Sequence, residues 1–176
     1  MTKRHQPFHL YLDDQVYFVT AHTYLNKFSL NASSKKEKLL KKIKIFLRQF
    51  DFNLYAWVIL DNHYHILFKV YKGKDLPKVL NKIHGGYSYE INKIDNCRGR
   101  KIWQNYWDFC IRSEEDFWRH FNYIHHNPVK HRYVQEMEEY KFSSYGYWIS
   151  KKGCDWMMSI FREHPIIDFT IARDDF

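Results

Sequence analysis

Cysteine is scarce in this chain of 176 residues, which contains only Cys97, Cys110 and Cys154. Their odd number and wide spacing exclude a Cys-x-x-Cys metal pair and give no obvious disulfide framework. A structural zinc site, which usually combines several cysteines with histidine, is therefore disfavoured. We interpret all three cysteines as reduced thiols.

Long apolar stretches are also missing. No segment approaches the roughly 20 apolar residues of a membrane-spanning helix, and the first residues, MTKRHQPFHLYLDD, lack the apolar centre of a signal peptide. No internal repeat or low-complexity tract divides the chain. These absences predict a cytoplasmic protein with no membrane segment, folded as one domain over residues 1–150 with a C-terminal extension at 151–176.

Basic and aromatic residues are abundant. Lys and Arg total 28 against 20 Asp and Glu, which gives a formal charge of +8 and a pI near 9.3. The 14 Tyr, 14 Phe and 6 Trp make up 19% of the chain. A basic surface with exposed rings is typical of proteins that bind single-stranded nucleic acid, whose bases stack on aromatic side chains. An aromatic-rich core under a solvated lysine surface explains the same composition equally well.

Hydrophobic periodicity predicts the order β-α-β-β-α-β-α. Strands are expected at 16–22, 52–60, 63–70 and 102–111, and helices after Ser34, over 76–94, and from Ser113 to about Asn127. Ser34 and Glu37 form a capping-box pattern, and Pro128 should end the last helix. This order predicts an α+β, ferredoxin-like fold whose mostly antiparallel sheet carries helices on one face. Residues from 153 onward show no clear pattern.

Lysines dominate one side of the first predicted helix. They are Lys35, Lys36, Lys38, Lys41, Lys42 and Lys44. Such a face is usually a solvated surface, and contact with nucleic acid is the alternative.

Two histidines open the predicted strand in the segment DNHYHILFKV. His63 and His65 are two residues apart, so both side chains should point to one face of the sheet, while Tyr64 and Ile66 point to the other. Two neutral imidazoles at this spacing can bind one divalent metal ion. The chain has 11 histidines, so this spacing also arises by chance, and two surface or hydrogen-bonded histidines remain the alternative.

The last predicted helix contains a second candidate group. Tyr123 and Asn127 are four residues apart and therefore share a helix face. Tyrosine is a possible covalent nucleophile, and an amide oxygen is a suitable ligand for a hard cation. The alternative is a core tyrosine followed by an asparagine that caps the helix. His126 lies near the same face and is another possible third ligand, whereas His125 should project away from it.

Three segments together resemble a known family. LDNHYHILF, WQNYWDFCIRSEEDFWRHFNYIHHNPVKH and KFSSYGYW follow one another as in the REP-associated tyrosine transposases, a branch of the HUH-superfamily single-tyrosine transposases. The resemblance covers residues 17–148. It implies that Tyr123, on a helix in the C-terminal half, is the catalytic nucleophile. It further implies that His63, His65 and Asn127 bind Mg²⁺ or Mn²⁺.

The resemblance also implies an activity and a partner. A transposase of this kind cleaves and rejoins single-stranded DNA at palindromic hairpin repeats through a 5′-phosphotyrosine link, as a monomer or a homodimer. Predicted DNA contacts are Arg98, Arg100, Lys101, Trp103, Tyr106, Trp107 and Lys130, whose three rings are alternatively core residues. A domesticated protein that binds the hairpin without turnover is the second hypothesis. It is disfavoured because a binding protein needs neither the tyrosine nor the metal ligands.

Overall fold

The computed structural model describes residues 11–166. The strands are β1 (Gln15–Thr23), β2 (Asn53–Ile59), β3 (His63–Val70) and β4 (Trp103–Cys110), and the helices are α1 (Ser33–Gln49), α2 (Leu76–Ile94), α3 (Glu114–Lys130), α4 (Tyr145–Lys152) and α5 (Cys154–Glu163). None of the helices in this part of the chain is long and apolar enough to cross a membrane. The last ten residues of the predicted C-terminal extension, 167–176, lie outside the described residues.

The four strands form one sheet in the order β2-β3-β1-β4, and every neighbouring pair is antiparallel. Helix α1 connects β1 to β2, and helix α2 connects β3 to β4. The predicted α+β, ferredoxin-like sheet is therefore confirmed.

Helices cover both faces of this sheet, so the expectation of helices on one face is wrong. Helices α1 and α2 share one core with Tyr17, Val19 and Tyr64, whereas α3, α4 and α5 share another with Phe18 and Leu67. The cause is visible in β3, where seven of eight residues are buried. A strand that is apolar on both faces needs a covering layer on each side.

Helix α1 begins without the predicted capping box. Its N-cap residue is Ala32, and no side chain caps the helix. The Ala32 carbonyl accepts from the N–H groups of Lys35 and Lys36, so the helix has already begun before Ser34. Ser34 therefore lies inside the helix rather than at its N-cap.

Much of the predicted lysine face lies between α1 and α2 rather than in free solvent. Lys35 Nζ is 3.1 Å from an Asp95 carboxylate oxygen, and Lys38 and Lys42 lie 3.0 and 3.1 Å from Glu90. Lys36 is only 5% exposed. Gly86 permits this close packing, since a Cβ there would lie 3.3 Å from the Phe46 ring, and α2 continues through it.

Helix α3 starts as predicted but ends later. Ser113 Oγ accepts a hydrogen bond from the Asp116 N–H at 3.0 Å. The helix continues through Pro128 instead of ending at Asn127. Pro128 lacks only its own N–H, and the His131 N–H still reaches the Asn127 carbonyl at 3.0 Å. The residues just after Pro128 therefore remain helical.

A half-buried histidine of α2, beside the core, predicts acid sensitivity. His84 lies between the Tyr64 hydroxyl, 2.8 Å away, and the Trp103 ring, and burial lowers the pKa of His84 from 6.5 to about 3. The unfolded chain protonates His84 more readily than the folded protein does. The contribution of neutral His84 to stability is therefore complete above about pH 6.5, and it is lost as the pH falls toward 3. The free energy of unfolding should drop by about 2 kcal/mol between pH 7 and pH 5 from this residue.

Urea unfolding at both pH values, compared between the wild type and His84→Gln, measures this contribution. The variant should have the shallower pH dependence. Equal slopes in the two proteins would contradict the assignment.

Candidate active site

Strand β3 places both histidines of the pair on the sheet face that α3 covers. His63 is paired with His22 of β1, and His65 with Thr20. Tyr64 points to the opposite face, where its hydroxyl meets His84. The predicted alternation of side chains along this strand is confirmed.

The His63 ring has one nitrogen engaged and one directed at α3. Its Nδ1 lies 2.7 Å from Asn62 Oδ1, which can only accept, so Nδ1 carries the proton. Its Nε2 is then a bare lone pair, and it lies 3.3 Å from Asn127 Oδ1, also an acceptor. A cation bound by both atoms would relieve the repulsion between two facing lone pairs.

His65, two residues further along β3, also has one ring nitrogen beside a polar side chain and one without a partner in the described residues. Its Nδ1 is 2.7 Å from Thr20 Oγ1, and its ring is completely buried. Its Nε2 is buried with no hydrogen-bond partner in residues 11–166. Such a nitrogen is costly unless something binds it. The His63 and His65 ring centroids are 5.0 Å apart, so one ion can reach both rings.

Both rings are held in the neutral form. Burial, and then repulsion by neighbouring histidines, lowers the pKa of His63 and of His65 well below 6.5. A neutral imidazole has the free lone pair that a metal ion requires. The electrostatics of the site therefore fit a metal ligand better than a charged surface histidine.

Helix α3 brings the predicted tyrosine to the same place. Tyr123 is 2% exposed, and its ring centroid lies 5.4 Å from that of His65 and 6.1 Å from that of Phe18. Lys130 Nζ lies 5.2 Å from the centroid of the Tyr123 ring. Because positions 123, 127 and 130 share one helix face, a phenol, an amide and an ammonium group line one side of α3.

Two imidazoles and one amide that could act as metal donors lie together here. No group of three His, Cys, Asp or Glu side chains in residues 11–166 is arranged to hold a metal ion. Asn127 Oδ1, which lies 3.3 Å from His63 Nε2, could supply a third donor beside His63 and His65. Nitrogen and oxygen donors of this kind suit Mn²⁺, and the amide oxygen also suits Mg²⁺.

The two other histidines of the helix lie elsewhere. His125 Nε2 is 2.7 Å from Ser144 Oγ, so His125 projects away from the site, as expected. His126 is half-buried, and no hydrogen bond or ring contact joins it to His63 or His65 in the described part of the chain. Asn127, and not His126, contacts the histidine pair.

Sequence reasoning missed two histidines beside the pair. The ring centroids of His22 and His131 each lie 5.0 Å from that of His63. A signal existed for His131, which is four residues after Asn127 and thus one helical turn away. His22 could be found only from the pairing register of β1 with β3.

The turn before β3 is clamped from several sides. Lys36 Nζ lies 2.7 Å from Asp61 Oδ1 and donates to the Tyr140 hydroxyl at 2.9 Å. The carbonyl of Asp61 accepts from the Leu30 N–H at 2.8 Å. This anchoring fixes the neighbouring Asn62, whose amide sets the tautomer of His63. The buried lysine is thus part of the support of the site.

The predicted DNA contacts on β4 fall into two groups. Trp103 is 7% exposed and stacks on His84 with centroids 4.5 Å apart, so protein covers its ring and no base can stack there. Tyr106 belongs to the same core. Trp107 is half-buried and paired with Thr20, on the face that carries His65.

The basic loop before β4, residues 98–101, makes several contacts with other parts of the protein. Arg100 lies 2.6 Å from an Asp95 oxygen and donates to Asn92, which ties the loop to α2. Lys101 Nζ lies 4.4 Å above the Tyr24 ring. Arg98 lines a cavity that is distinct from the site of the histidine pair, and it makes no ion pair within residues 11–166. Arg98 and Lys101 are therefore better placed than Arg100 to meet phosphates.

Comparisons with known proteins bear on the family to which this chain belongs. A family model described as "Transposase IS200 like" matches residues 15–127. The REP-associated tyrosine transposase of Escherichia coli K12 is 27% identical over 139 residues, which cover 73% of this chain and 79% of that protein. The solved structure of a REP-associated tyrosine transposase bound to a REP hairpin has a TM-score of 0.71 and 24% identity, over 86% of this chain and 87% of that one, and it shows the same fold. Because the family match covers well over half of the chain and includes the whole histidine, tyrosine and asparagine set, this chain belongs to the IS200-like transposase family.

Proposed function

We propose that this protein cleaves and rejoins single-stranded DNA at palindromic hairpin repeats, with Tyr123 as the nucleophile. Membership of a transposase family supports DNA cleavage and transfer in general, and the similar E. coli protein bears the name REP-associated tyrosine transposase. One observation carries the finer proposal. Helix α3 sets Tyr123 against His65 and Asn127 against His63, so the proposed nucleophile and the proposed ligands lie close together.

His63 Nε2, His65 Nε2 and Asn127 Oδ1 would hold one Mg²⁺ or Mn²⁺ ion. When bound, this ion would polarise the scissile phosphate and stabilise the extra negative charge of the transition state. The buried, unpartnered Nε2 of His65 and the facing acceptors of His63 and Asn127 support this assignment. Imidazole ligands favour Mn²⁺ in affinity, whereas the abundance of Mg²⁺ favours it as the physiological ion.

The chemistry of Tyr123 conserves the number of phosphate ester bonds. Its phenol oxygen attacks the phosphorus, loses its proton, and displaces the 3′ oxygen of the preceding nucleotide, which leaves as a protonated 3′-hydroxyl. The strand stays attached through a 5′-phosphotyrosine bond. A 3′-hydroxyl from another strand can reverse the step and release the phenol, so rejoining needs no ATP.

Lys130 assists the tyrosine electrostatically. A phenol of ordinary pKa, about 10, is a weak nucleophile at neutral pH. The ammonium of Lys130 lies over the Tyr123 ring, where its positive charge favours the phenolate that attacks. Lys130 thus acts through Tyr123, and its ammonium could also bind a DNA phosphate, in line with the predicted DNA contact.

Hairpin DNA is the proposed partner, bound by a monomer or a homodimer. Arg98, Lys101 and Lys130 would contact phosphates, and Trp107 a base. Arg100 and Trp103 are engaged inside the protein and would support the DNA surface from behind.

Cleavage of labelled single-stranded oligonucleotides tests this function directly. The substrates are the palindromic repeats that flank the gene, incubated with Mn²⁺, Mg²⁺ or EDTA. We expect cleavage and a protein–DNA band resistant to denaturing detergent, both dependent on metal. Tight hairpin binding with no cleavage under either metal would favour the hairpin-binding protein without turnover.

Loss of the third proposed ligand, Asn127, should cause only a partial defect in cleavage. Asn127→Ala should weaken metal binding less than loss of either histidine, because an amide is the weakest donor of the three, and raised Mn²⁺ should partly restore cleavage. Titrating Mn²⁺ against the cleavage rate measures this shift. His126→Ala is the matched control, with an expected wild-type titration. An unchanged metal dependence in Asn127→Ala, with a shifted one in His126→Ala, would exchange the two assignments.

A further inference from the structure

A β-bulge disturbs the pairing of β1 with β4 beside the proposed metal ligands. Between the pairs 21 with 106 and 23 with 103, one residue of β1, His22, faces two residues of β4, Gln104 and Asn105. A bulge of this kind bends the strand and redirects side chains, and bulges are common next to functional sites. Here it brings two neighbouring amides to the end of β1 that carries His22.

The bulge borders a cavity of about 280 Å³. Its lining includes His22, Leu25, Asn26, Gln104, Asn105 and Trp107. Gln104 and Asn105 are exposed, and their side chains make no hydrogen bond within residues 11–166. The cavity is close to the lower end of the range of small-molecule sites, about 300–1,000 Å³. It therefore has room for one flat ring system and not for several nucleotides.

The loop that closes this cavity is strained. Leu25 and Asn26 both have left-handed backbone angles, with φ of 56° and 51°, and the Leu25 side chain is 68% exposed. Leucine rarely adopts this conformation, and it gains no burial from it here. The Tyr24 N–H donates to the Ile102 carbonyl at 2.7 Å, which holds the turn against β4. Strain of this kind concentrates at ligand sites.

The His22 ring lies between the cavity and His63 of the proposed metal site. His22, in the cavity wall, stacks on His63 with centroids 5.0 Å apart and planes 22° apart. Trp107 is paired with Thr20, the residue that contacts His65. A group bound in the cavity would thus be a close neighbour of a phosphate held at His63 and His65.

We propose that this cavity binds one unpaired nucleobase of the DNA strand beside the scissile phosphate. Trp107 would stack on the base, and Gln104 and Asn105 would bond its edge, since each amide offers a donor and an acceptor side by side. The proposal rests on the proposed function and extends it. It makes Gln104 and Asn105 specificity-determining residues that select which base enters.

Binding without cleavage tests this site. The protein carries Tyr123→Phe and is kept in EDTA, so no strand is cut. Dye-labelled homopolymers of dA, dC and dT, and an abasic strand of equal length, are titrated by fluorescence anisotropy. The added substitutions are Trp107→Ala, Trp107→Phe and the pair Gln104→Ala with Asn105→Ala. Tyr147→Ala, an exposed ring on α4 outside the cavity, is the matched control.

We expect the parent protein to bind base-containing strands more tightly than the abasic strand. Trp107→Ala should weaken binding of base-containing strands by about 5- to 150-fold, the range of one base–aromatic stack, and Trp107→Phe should retain most of it. The double amide variant should reduce the differences among dA, dC and dT. Binding of the abasic strand should stay constant throughout, as should binding by Tyr147→Ala.

Several results would overturn the proposal. They are equal affinity of the parent for base-containing and abasic strands, equal weakening of both by Trp107→Ala, and base-containing binding unchanged by every variant. Circular dichroism and thermal unfolding identify any variant that fails to fold. The double variant at the exposed Gln104 and Asn105 provides a second, independent test of the cavity. Because the assay needs neither metal nor Tyr123, failure of the cleavage mechanism leaves its result intact.

Discussion

Tyr123→Phe should abolish both strand cleavage and the covalent protein–DNA adduct while the fold remains intact. The change removes one oxygen from a ring that is 2% exposed and packed against His65 and Phe18. Loss of a covalent nucleophile reduces turnover by on the order of 10⁴-fold or more. The free energy of unfolding should change by no more than about 1 kcal/mol, the size of one hydrogen bond. Cleavage rates and urea unfolding measure the two effects.

Tyr133→Phe is the matched control for this variant. Tyr133 is the next tyrosine along the chain, and it follows α3 rather than facing the histidine pair. Its ring lies near Lys36 and Tyr140, and Tyr133→Phe leaves the ion pair of Lys36 with Asp61 in place. We expect normal cleavage from Tyr133→Phe. Retained cleavage in Tyr123→Phe, with a loss of stability, would instead identify Tyr123 as a core residue.

His63→Ala and His65→Ala should each abolish cleavage and leave hairpin binding largely intact. Loss of residues that merely support a metal ligand costs about 10- to 100-fold in affinity or activity, so loss of a ligand should cost at least about 100-fold. DNA binding should persist, because both variants leave the proposed DNA contacts Arg98, Lys101, Trp107 and Lys130 unchanged. Cleavage assays and electrophoretic mobility shifts on the same hairpin distinguish the two activities.

The histidine variants need a control for folding, since both rings are buried. Measurements belong below the unfolding temperature of each variant. His126→Ala, which changes a half-buried histidine on the neighbouring helix α3, should behave as the wild type in both assays. Loss of cleavage and hairpin binding together in a folded variant would give His63 and His65 a structural role rather than a metal-binding one.

The site was predictable where it depends on local periodicity. The two-residue repeat of a strand places His63 and His65 on one face, and the helical repeat aligns Tyr123 with Asn127. Both alignments follow from backbone geometry alone. The meeting of strand and helix is a tertiary fact, and only the resemblance to a known family anticipated it.

Features that depend on strand register or on covering layers could not be read from the sequence. The position of His22 beside His63 requires the pairing of β1 with β3. Tryptophan is a residue type that often stacks on bases, yet Trp103 is covered by α2, whose His84 stacks on its ring. Lys36 resembles the other lysines of α1 and becomes special only because Asp61 and Tyr140 lie where it points.

Local rules also failed where neighbouring structure outweighed them. Pro128 removes one donor from α3, but burial of the helix and the bonds beyond it keep the helix continuous. The capping box at Ser34 and Glu37 was displaced because α1 starts earlier, from Ala32. In both cases a modest local preference was smaller than the packing energy of the complete helix.

Locating the DNA-linked residue tests the central claim most directly. The protein is incubated with labelled hairpin DNA and Mn²⁺, digested with protease and nuclease, and analysed by mass spectrometry for the peptide that carries the nucleotide. We predict a 5′-phosphotyrosine on Tyr123 and on no other of the 14 tyrosines. An adduct on a different tyrosine, or cleaved DNA with no adduct at all, would contradict the account.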